Sequence, residues 1–288
     1  MPQLFTKDSR QRGLAFRPRP TDVIISPYTK SGTTWLQHIA HGLQSGGSMD
    51  FEEISVVTPW LEVAWDLGWD LDADQVAEPR VFKSHVSWHD IPKGARYICS
   101  FRDPADVCVS FYRFFEGFMF EPGAIDIENF SRWRSPREKM GEQGYWFHLL
   151  SWWEQRSNPD VLLLCYEDMK EDLPGTVRRI ASFMGIGMDE SLLELVVHQS
   201  SRAFMLEHAY RFNEAPLRRR AEKLRLLPFD VDALKVTPGA TNVARHRLTK
   251  DLERELTDIW QERVQTVTGL ASYDALRRAV GGLYPEAA

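Results

Sequence analysis

One stretch constrains the fold more than any other: Val23-Ile24-Ile25-Ser26-Pro27-Tyr28-Thr29-Lys30-Ser31-Gly32-Thr33-Thr34-Trp35. The β-branched run Val23 to Ile25 predicts a buried parallel strand. From Trp35 the apolar residues Leu36, Ile39, Ala40 and Leu43 fall three and four apart, which predicts a helix with one buried face. A short polar loop joins the two. A strand, a small polar loop and a helix N-terminus in that order make an anion site, because free backbone N–H groups and the positive end of the helix dipole meet there. Lys30 adds a full charge, Gly32 lets the backbone come close, and Thr33 and Thr34 add hydroxyl donors. Ser-Gly-Thr-Thr by itself also suits an ordinary turn; the strand before it, Lys30 within it and Trp35 after it favour a phosphate. The loop is not a Walker A loop, which needs Gly, four residues and Gly-Lys-Ser/Thr. Here Lys30 precedes the lone Gly32, so Mg²⁺ binding of that type is not implied.

The rest of the chain repeats the strand–helix alternation. Arg80 to His85, Ala95 to Phe101 and Val161 to Tyr166 read as further strands; Ala105–Phe115, Tyr145–Asn158, Thr176–Met184, Glu190–Val197, Lys250–Leu270 and Tyr273–Val280 read as helices. That pattern predicts an α/β fold with a central, mostly parallel sheet covered by helices on both faces. No repeat, low-complexity segment or clean linker interrupts it, so residues 1–288 are expected to form a single domain, with residues 1–20 as an N-terminal arm. Residues 116–144 are weakly periodic and rich in Arg, Glu, Gly and Pro, and read as a loop lying as a lid over a substrate site. Arg202 to Leu226 is basic and reads as surface. Ligands of such sheets sit at the carboxyl ends of the strands. Lys30, His85, Arg102 and Tyr166 all follow strand ends, so they can converge although distant in sequence.

Four segments carry chemistry, and each has a plain structural reading beside the functional one. In Phe82-Lys83-Ser84-His85, a Lys and a His at a strand end are, read alone, most often solvent-facing. Asp103-Pro104 after Arg102 could simply start a helix, with Arg102 paired to a carboxylate. Tyr166-Glu167-Asp168-Met169 could be a helix cap. Together with the first loop, however, these segments resemble the cytosolic-type sulfotransferases. Tyr-x-Lys-Ser-Gly-Thr-Thr-Trp resembles that family's 5′-phosphosulfate loop, with Thr29 where the family usually has Pro. Lys83-Ser84-His85 resembles its Lys-Thr-His, and Arg102-Asp103-Pro104-Ala105-Asp106 with Ser110 resembles its Arg-Asn/Asp-Pro-x-Asp-x-x-x-Ser.

The resemblance implies the donor 3′-phosphoadenosine 5′-phosphosulfate (PAPS), with adenosine 3′,5′-bisphosphate (PAP) as product. It implies that Lys30, Ser31, Gly32, Thr33 and Thr34 cradle the 5′-phosphosulfate, that Arg102 and Ser110 hold the 3′-phosphate, and that Tyr166 and Trp35 contact the adenine. His85 would be the base, with Lys83 and Lys30 neutralising charge on the moving sulfuryl group. Ser200-Ser201-Arg202 stands where the family has Thr-Ser-Phe; the guanidinium of Arg202 can also stack on adenine. The family's C-terminal Arg-Lys-Gly-x-x-Gly-Asp-Trp-Lys is degraded here to Thr237-Pro238-Gly239-Ala240-Thr241-Asn242-Val243-Ala244-Arg245. Gly239 survives, the Arg-Lys pair does not, and Lys235, Arg245 or Arg247 could supply charge instead. The family's dimer motif matches only at Thr249 and the basic Arg245, so that dimer is not supported.

The acceptor is expected to be a small molecule, hydrophobic or aromatic. Trp60, Trp88, Tyr112, Phe115 and Phe118 lie in segments that flank His85 and could line its pocket; any of them could equally be core. A net charge of −6 argues against a general nucleic-acid binder. The three cysteines match no zinc pattern and form no disulfide framework. No residue cluster has metal-ligand spacing, and a sulfuryl group carries less charge than a phosphoryl group, so no metal is expected. Without a signal peptide or membrane-length apolar run, the expected compartment is the cytoplasm. Two rivals remain: a non-catalytic binder of PAP or PAPS, favoured by the degraded C-terminal motif, and a nucleotide-dependent kinase, which would want a Walker loop.

Overall fold

A computed structural model describes residues 4–118, 120–121, 123–133, 144–224, 226 and 248–284. Helix α1 (Lys7–Leu14) precedes strand β1 (Val23–Ile25) and helix α2 (Thr33–Ser45). Two short helices, α3 (Ile54–Val57) and α4 (Ala64–Leu67), lead to strands β2 (Val81–Lys83) and β3 (Arg96–Phe101). Helices α5 (Pro104–Phe118), α6 (Ile127–Trp133) and α7 (Tyr145–Trp153) precede strand β4 (Val161–Cys165). Then come α8 (Tyr166–Glu171), α9 (Leu173–Met184), α10 (Glu190–Gln199), α11 (Arg202–Glu207) and α12 (Ala215–Lys223). Helices Lys250–Ile259 and Tyr273–Leu283 follow, the first continuing into a π-helical turn at Trp260–Gln265.

The strands form one sheet in the order β2–β1–β3–β4, and every neighbouring pair is parallel. Their residues alternate between two cores, as a pleated strand requires. Ile24, Phe82, Cys99 and Leu163 face one core with Val107, Trp146, Trp152 and Trp260. Val23, Ile25, Ile98 and Leu162 face the other with Leu36, Ile39, Val177 and Ile180. Helix α2 thus covers one face and α5 the opposite one. Both faces being covered, the strands need no polar side, which is why they read as continuous apolar runs. The buried Asp22–Arg80 ion pair, 2.7 Å long, ties the starts of β1 and β2 together. No helix among the described residues is long and apolar enough to cross a membrane.

One expectation gains detail and two need correction. The N-terminal arm contains a helix docked on the chain at Leu61: a Cβ on Gly13 would stand 2.0 Å from the Leu61 carbonyl oxygen. Within 116–144 the expected loop is partly helical, since α5 runs to Phe118 and α6 buries Ile127 and Phe130; residues 134–143 lie outside the described ones. Arg202–Leu226 is not simply surface, because Met205, Phe212, Leu217 and Ala221 are buried. Arg220 acts as an anchor instead. Arg220 donates to Asp66 Oδ1 (2.8 Å) and to the Leu4 carbonyl (3.1 Å), while Asp66 Oδ2 accepts the Thr6 N–H (2.8 Å).

Two buried histidines make the fold acid-sensitive. His38 Nε2 lies 3.1 Å from the Gln199 carbonyl and His148 Nε2 3.0 Å from the Ser26 carbonyl. Burial holds the His38 imidazole down to about 4 and that of His148 to about 3, each partly offset by its carbonyl bond. The unfolded chain therefore takes up protons that the folded chain refuses. The stabilisation is full above about pH 6.5 and is lost as pH falls through the depressed values, on the order of 3 kcal/mol per group. Urea midpoints measured from pH 7 to pH 4 are expected to fall steeply, and to fall less in a His38→Asn/His148→Gln variant; parallel slopes would refute the assignment.

Candidate functional site

The first loop is built as an anion cradle. Gly32 precedes α2 with φ 97° and supplies no capping side chain. The first helical amide to be satisfied in the turn is that of Leu36, on the Gly32 carbonyl (3.0 Å), so the N–H groups of Thr33, Thr34 and Trp35 point out of the helix end. Gly32 is required sterically as well: a Cβ there would stand 2.9 Å from Tyr166 Cδ2. Lys30 also has left-handed backbone (φ 68°), an uncommon state for a residue with a side chain.

Around this loop the nucleotide-side candidates come together. Arg102 donates to the Lys30 carbonyl (2.7 Å), and its guanidinium lies 4.4 Å from the Tyr166 ring centre. Trp35 donates to the Ser200 carbonyl (2.8 Å) and meets Tyr166 edge-on at 5.7 Å. Four buried polar atoms here have no hydrogen-bond partner among the described residues: the hydroxyls of Ser31, Thr33 and Ser200, and Arg102 Nε. Buried polar atoms are normally paired, so this cluster can take up a polar ligand or water. Ser110 lies one helical turn before Phe114, whose ring is 4.4 Å from Lys30 Nζ, so it sits on the helix face turned toward the loop. Arg202 is exposed at the start of α11, two residues beyond Ser200. Gly239 lies outside the described residues.

The end of β2 brings in the second half. His85 Nδ1 is 2.9 Å from the Pro27 carbonyl, which ties the imidazole to the same loop that carries Lys30. A carbonyl can only accept, so Nδ1 bears the hydrogen, and in the neutral imidazole Nε2 carries the lone pair. The His85 amide donates to Glu62 Oε1 (2.8 Å). Burial pushes the Glu62 carboxyl up, while the hydrogen bond from the His85 amide opposes the rise. Lys83 is almost wholly buried, ion-paired with Glu214, and its ammonium lies 4.0 Å over the Trp60 ring.

The aromatic candidates divide. Trp60 meets the His85 ring edge-on at 5.2 Å and so lines the site. Phe115 contacts Phe111 and Phe114 along α5 and also packs on Phe130 of α6, so it borders both the loop side and the core. Trp88 does not belong here. It packs on Tyr97 and Trp152 and lines a hollow with Ala95 and Asp160, at the opposite, amino end of the strands. After His85 the chain turns back along the sheet, which carries Trp88 away from the site. Tyr112 is likewise committed elsewhere, since its hydroxyl donates to Glu116 and to the Ile125 carbonyl and its ring packs on Phe130. The side chain of Phe118 lies outside those described. Sequence reasoning missed Glu62 and Glu214. Glu62 sits in the Pro59-Trp60-Leu61-Glu62 stretch without any periodic signal, and Glu214 lies 131 positions from the lysine it pairs with.

The family model described as a sulfotransferase domain matches residues 20–225. Sulfotransferase 1E1 of Cavia porcellus is 31% identical over 202 residues, covering 65% of this chain and 66% of its own length. The Homo sapiens sulfotransferase 1E1 is 32% identical over 202 residues, covering 65% and 67%. Luciferin sulfotransferase of Photinus pyralis is 29% identical over 215 residues, covering 64% and 57%. The alignments with these relatives thus take in about two thirds of their length or less. Among solved structures, retinol dehydratase in complex with retinol and PAP superposes with a TM-score of 0.70 at 19% identity, covering 91% of this chain and 87% of that one. A mouse sulfotransferase, SULT7A1, complexed with PAP gives 0.69 at 17% identity, covering 97% and 94%. At such identities these structures establish a shared fold.

Proposed function

The chain belongs to the sulfotransferase family, and from that premise we propose that it moves a sulfuryl group from PAPS to a hydroxyl or amine of a small, apolar acceptor. The observation that carries this reading is the tethering of both halves of the site to one loop. Arg102 bonds the Lys30 carbonyl and His85 bonds the Pro27 carbonyl, three residues apart. The unpartnered hydroxyls of Ser31, Thr33 and Ser200 and Arg102 Nε suit a polyanionic ligand.

PAPS, when bound, supplies an activated sulfur on a good leaving group. Lys30, the outward amides of α2 and the loop hydroxyls would hold its 5′ end; Arg102 and Ser110 would hold the 3′-phosphate; Tyr166, Trp35 and Arg202 would flank the base. His85 Nε2 takes the proton of the acceptor as the new S–O or S–N bond forms. The bond to the bridging oxygen breaks in line, and its electron pair stays on the leaving phosphate. Lys30 and Lys83 meet the charge that develops on the sulfuryl and bridging oxygens. Trp60 and Phe115 offer apolar surface for the acceptor.

The test is incubation with ³⁵S-labelled PAPS and a panel of phenols, alcohols and amines. Label on an acceptor is the expected result. Tight PAP binding without transfer to any acceptor would overturn the reading in favour of a binder, and ATP turnover with Mg²⁺ would favour a kinase. PAP is further expected to raise the melting temperature more than 5′-AMP does, because Arg102 and Ser110 address the 3′-phosphate. Equal shifts would mean that the 3′-phosphate goes unrecognised.

A further inference from the structure

Among the described residues, the two non-glycine residues with left-handed backbone are Lys30 and Glu214, the latter with φ 56°. Such conformations persist where the surroundings over-determine them, and they gather at working sites. Lys30 lies in the cradle. Glu214, half the chain away from β2, holds the other candidate cation, Lys83. Its own position is fixed from behind: its amide donates to Glu53 Oε1 (3.1 Å), and Glu53 is fully buried.

An ammonium as buried as that of Lys83 stays charged only beside an anion. Among the described residues, Glu214 from the turn before α12 and the Trp60 ring 4.0 Å away pack against it, and His85 meets the same Trp60 ring. Glu62 and Glu53 stand one bond further out, on the amides of His85 and Glu214. Resting on the sulfuryl-transfer reading above, we propose that Glu214 is the positioning residue for Lys83: its carboxylate keeps the ammonium protonated and seated on Trp60, so that a directed N–H donor meets the transferring group. Glu214 is not a catalytic residue; it acts through Lys83. A neutral amide at 214 would keep a hydrogen-bonding group there but withdraw the charge.

The test compares Glu214→Gln, Lys83→Ala and His85→Ala with the unaltered chain. In Glu214→Gln, kcat is expected to fall by roughly one to two orders of magnitude, as for loss of one preorganised donor, with PAP affinity kept. The alkaline limb of its kcat profile should move to lower pH, because Lys83 sheds its proton earlier. Lysine ¹³Cε NMR, with Lys83 assigned by Lys83→Arg, should show the same shift without turnover. Glu214→Asp should restore part of the rate, and it carries the comparison if the glutamine variant does not fold. If Lys83→Ala and His85→Ala transfer label at the full rate, the sulfuryl-transfer roles fall. If those two are crippled while Glu214→Gln keeps its rate, pH profile and lysine titration, only the role of Glu214 falls. Loss of PAP binding and folding together with kcat, with the lysine titration unmoved, would make Glu214 a structural residue and overturn the proposal.

Discussion

Replacing His85 with alanine is expected to lower sulfuryl transfer by about 10²- to 10⁴-fold, the range for loss of a positioned general base, while PAP binds as before. The separation follows from where the side chain sits. The imidazole touches the loop between β1 and α2 through the Pro27 carbonyl, at the Nδ1 edge, and presents its Nε2 edge away from that bond. The cradle amides, Lys30 and Arg102 do not depend on it. Single-turnover transfer and PAP titration on the same variant measure the two quantities independently. An alanine variant that transfers label at the native rate would remove the imidazole from the mechanism.

Gly32→Ala should do the reverse and weaken nucleotide binding. At φ 97° any side chain strains the backbone, and the added Cβ would meet Tyr166 Cδ2 at 2.9 Å. Either Tyr166 leaves the guanidinium of Arg102 or the loop shifts from the end of α2. Strain of about 1–3 kcal/mol per such residue corresponds to roughly ten- to a hundredfold in affinity for PAP. Gly46 is the matched control, since it is also left-handed (φ 67°) but has nothing within 4 Å of its would-be Cβ. Gly46→Ala should cost stability alone. Equal loss of PAP binding in both variants would mean that the close approach of Gly32 to Tyr166 is irrelevant.

What the sequence disclosed depended on how local the determining contacts are. All four strands are apolar runs flanked by turn residues, and a fully buried parallel strand needs nothing more to be recognised. Lys30, Gly32, Arg102 and Tyr166 each follow a strand end, so one topological rule placed them together. The aromatic residues obeyed no such rule. Trp88 lies three residues from His85 in sequence and Trp60 much further, yet it is Trp60 that abuts the ring while Trp88 sits at the amino end of the strands. Proximity along the chain gives no direction once a strand has ended. Glu214 was hidden for a stronger reason. Its pairing with Lys83 is set by how the segment before α12 packs over Glu53, which no local pattern encodes. The basic segment 202–226 misled because part of it packs inward and Arg220 anchors the N-terminal arm and α4, although Arg202 and Arg219 are exposed.

The strand order has a geometric corollary. Tyr166 follows β4, Arg102 follows β3, Lys30 follows β1 and His85 follows β2, so reading across the sheet visits the candidates in a fixed sequence. Neighbouring strands are about 4.8 Å apart, which makes the whole traverse roughly 14 Å. On the proposed reading the sheet is a ruler laid crosswise beneath the donor: base, ribose phosphate, sulfur and acceptor would each fall on a successive division, and the order of the strands would set which end of the molecule meets the imidazole.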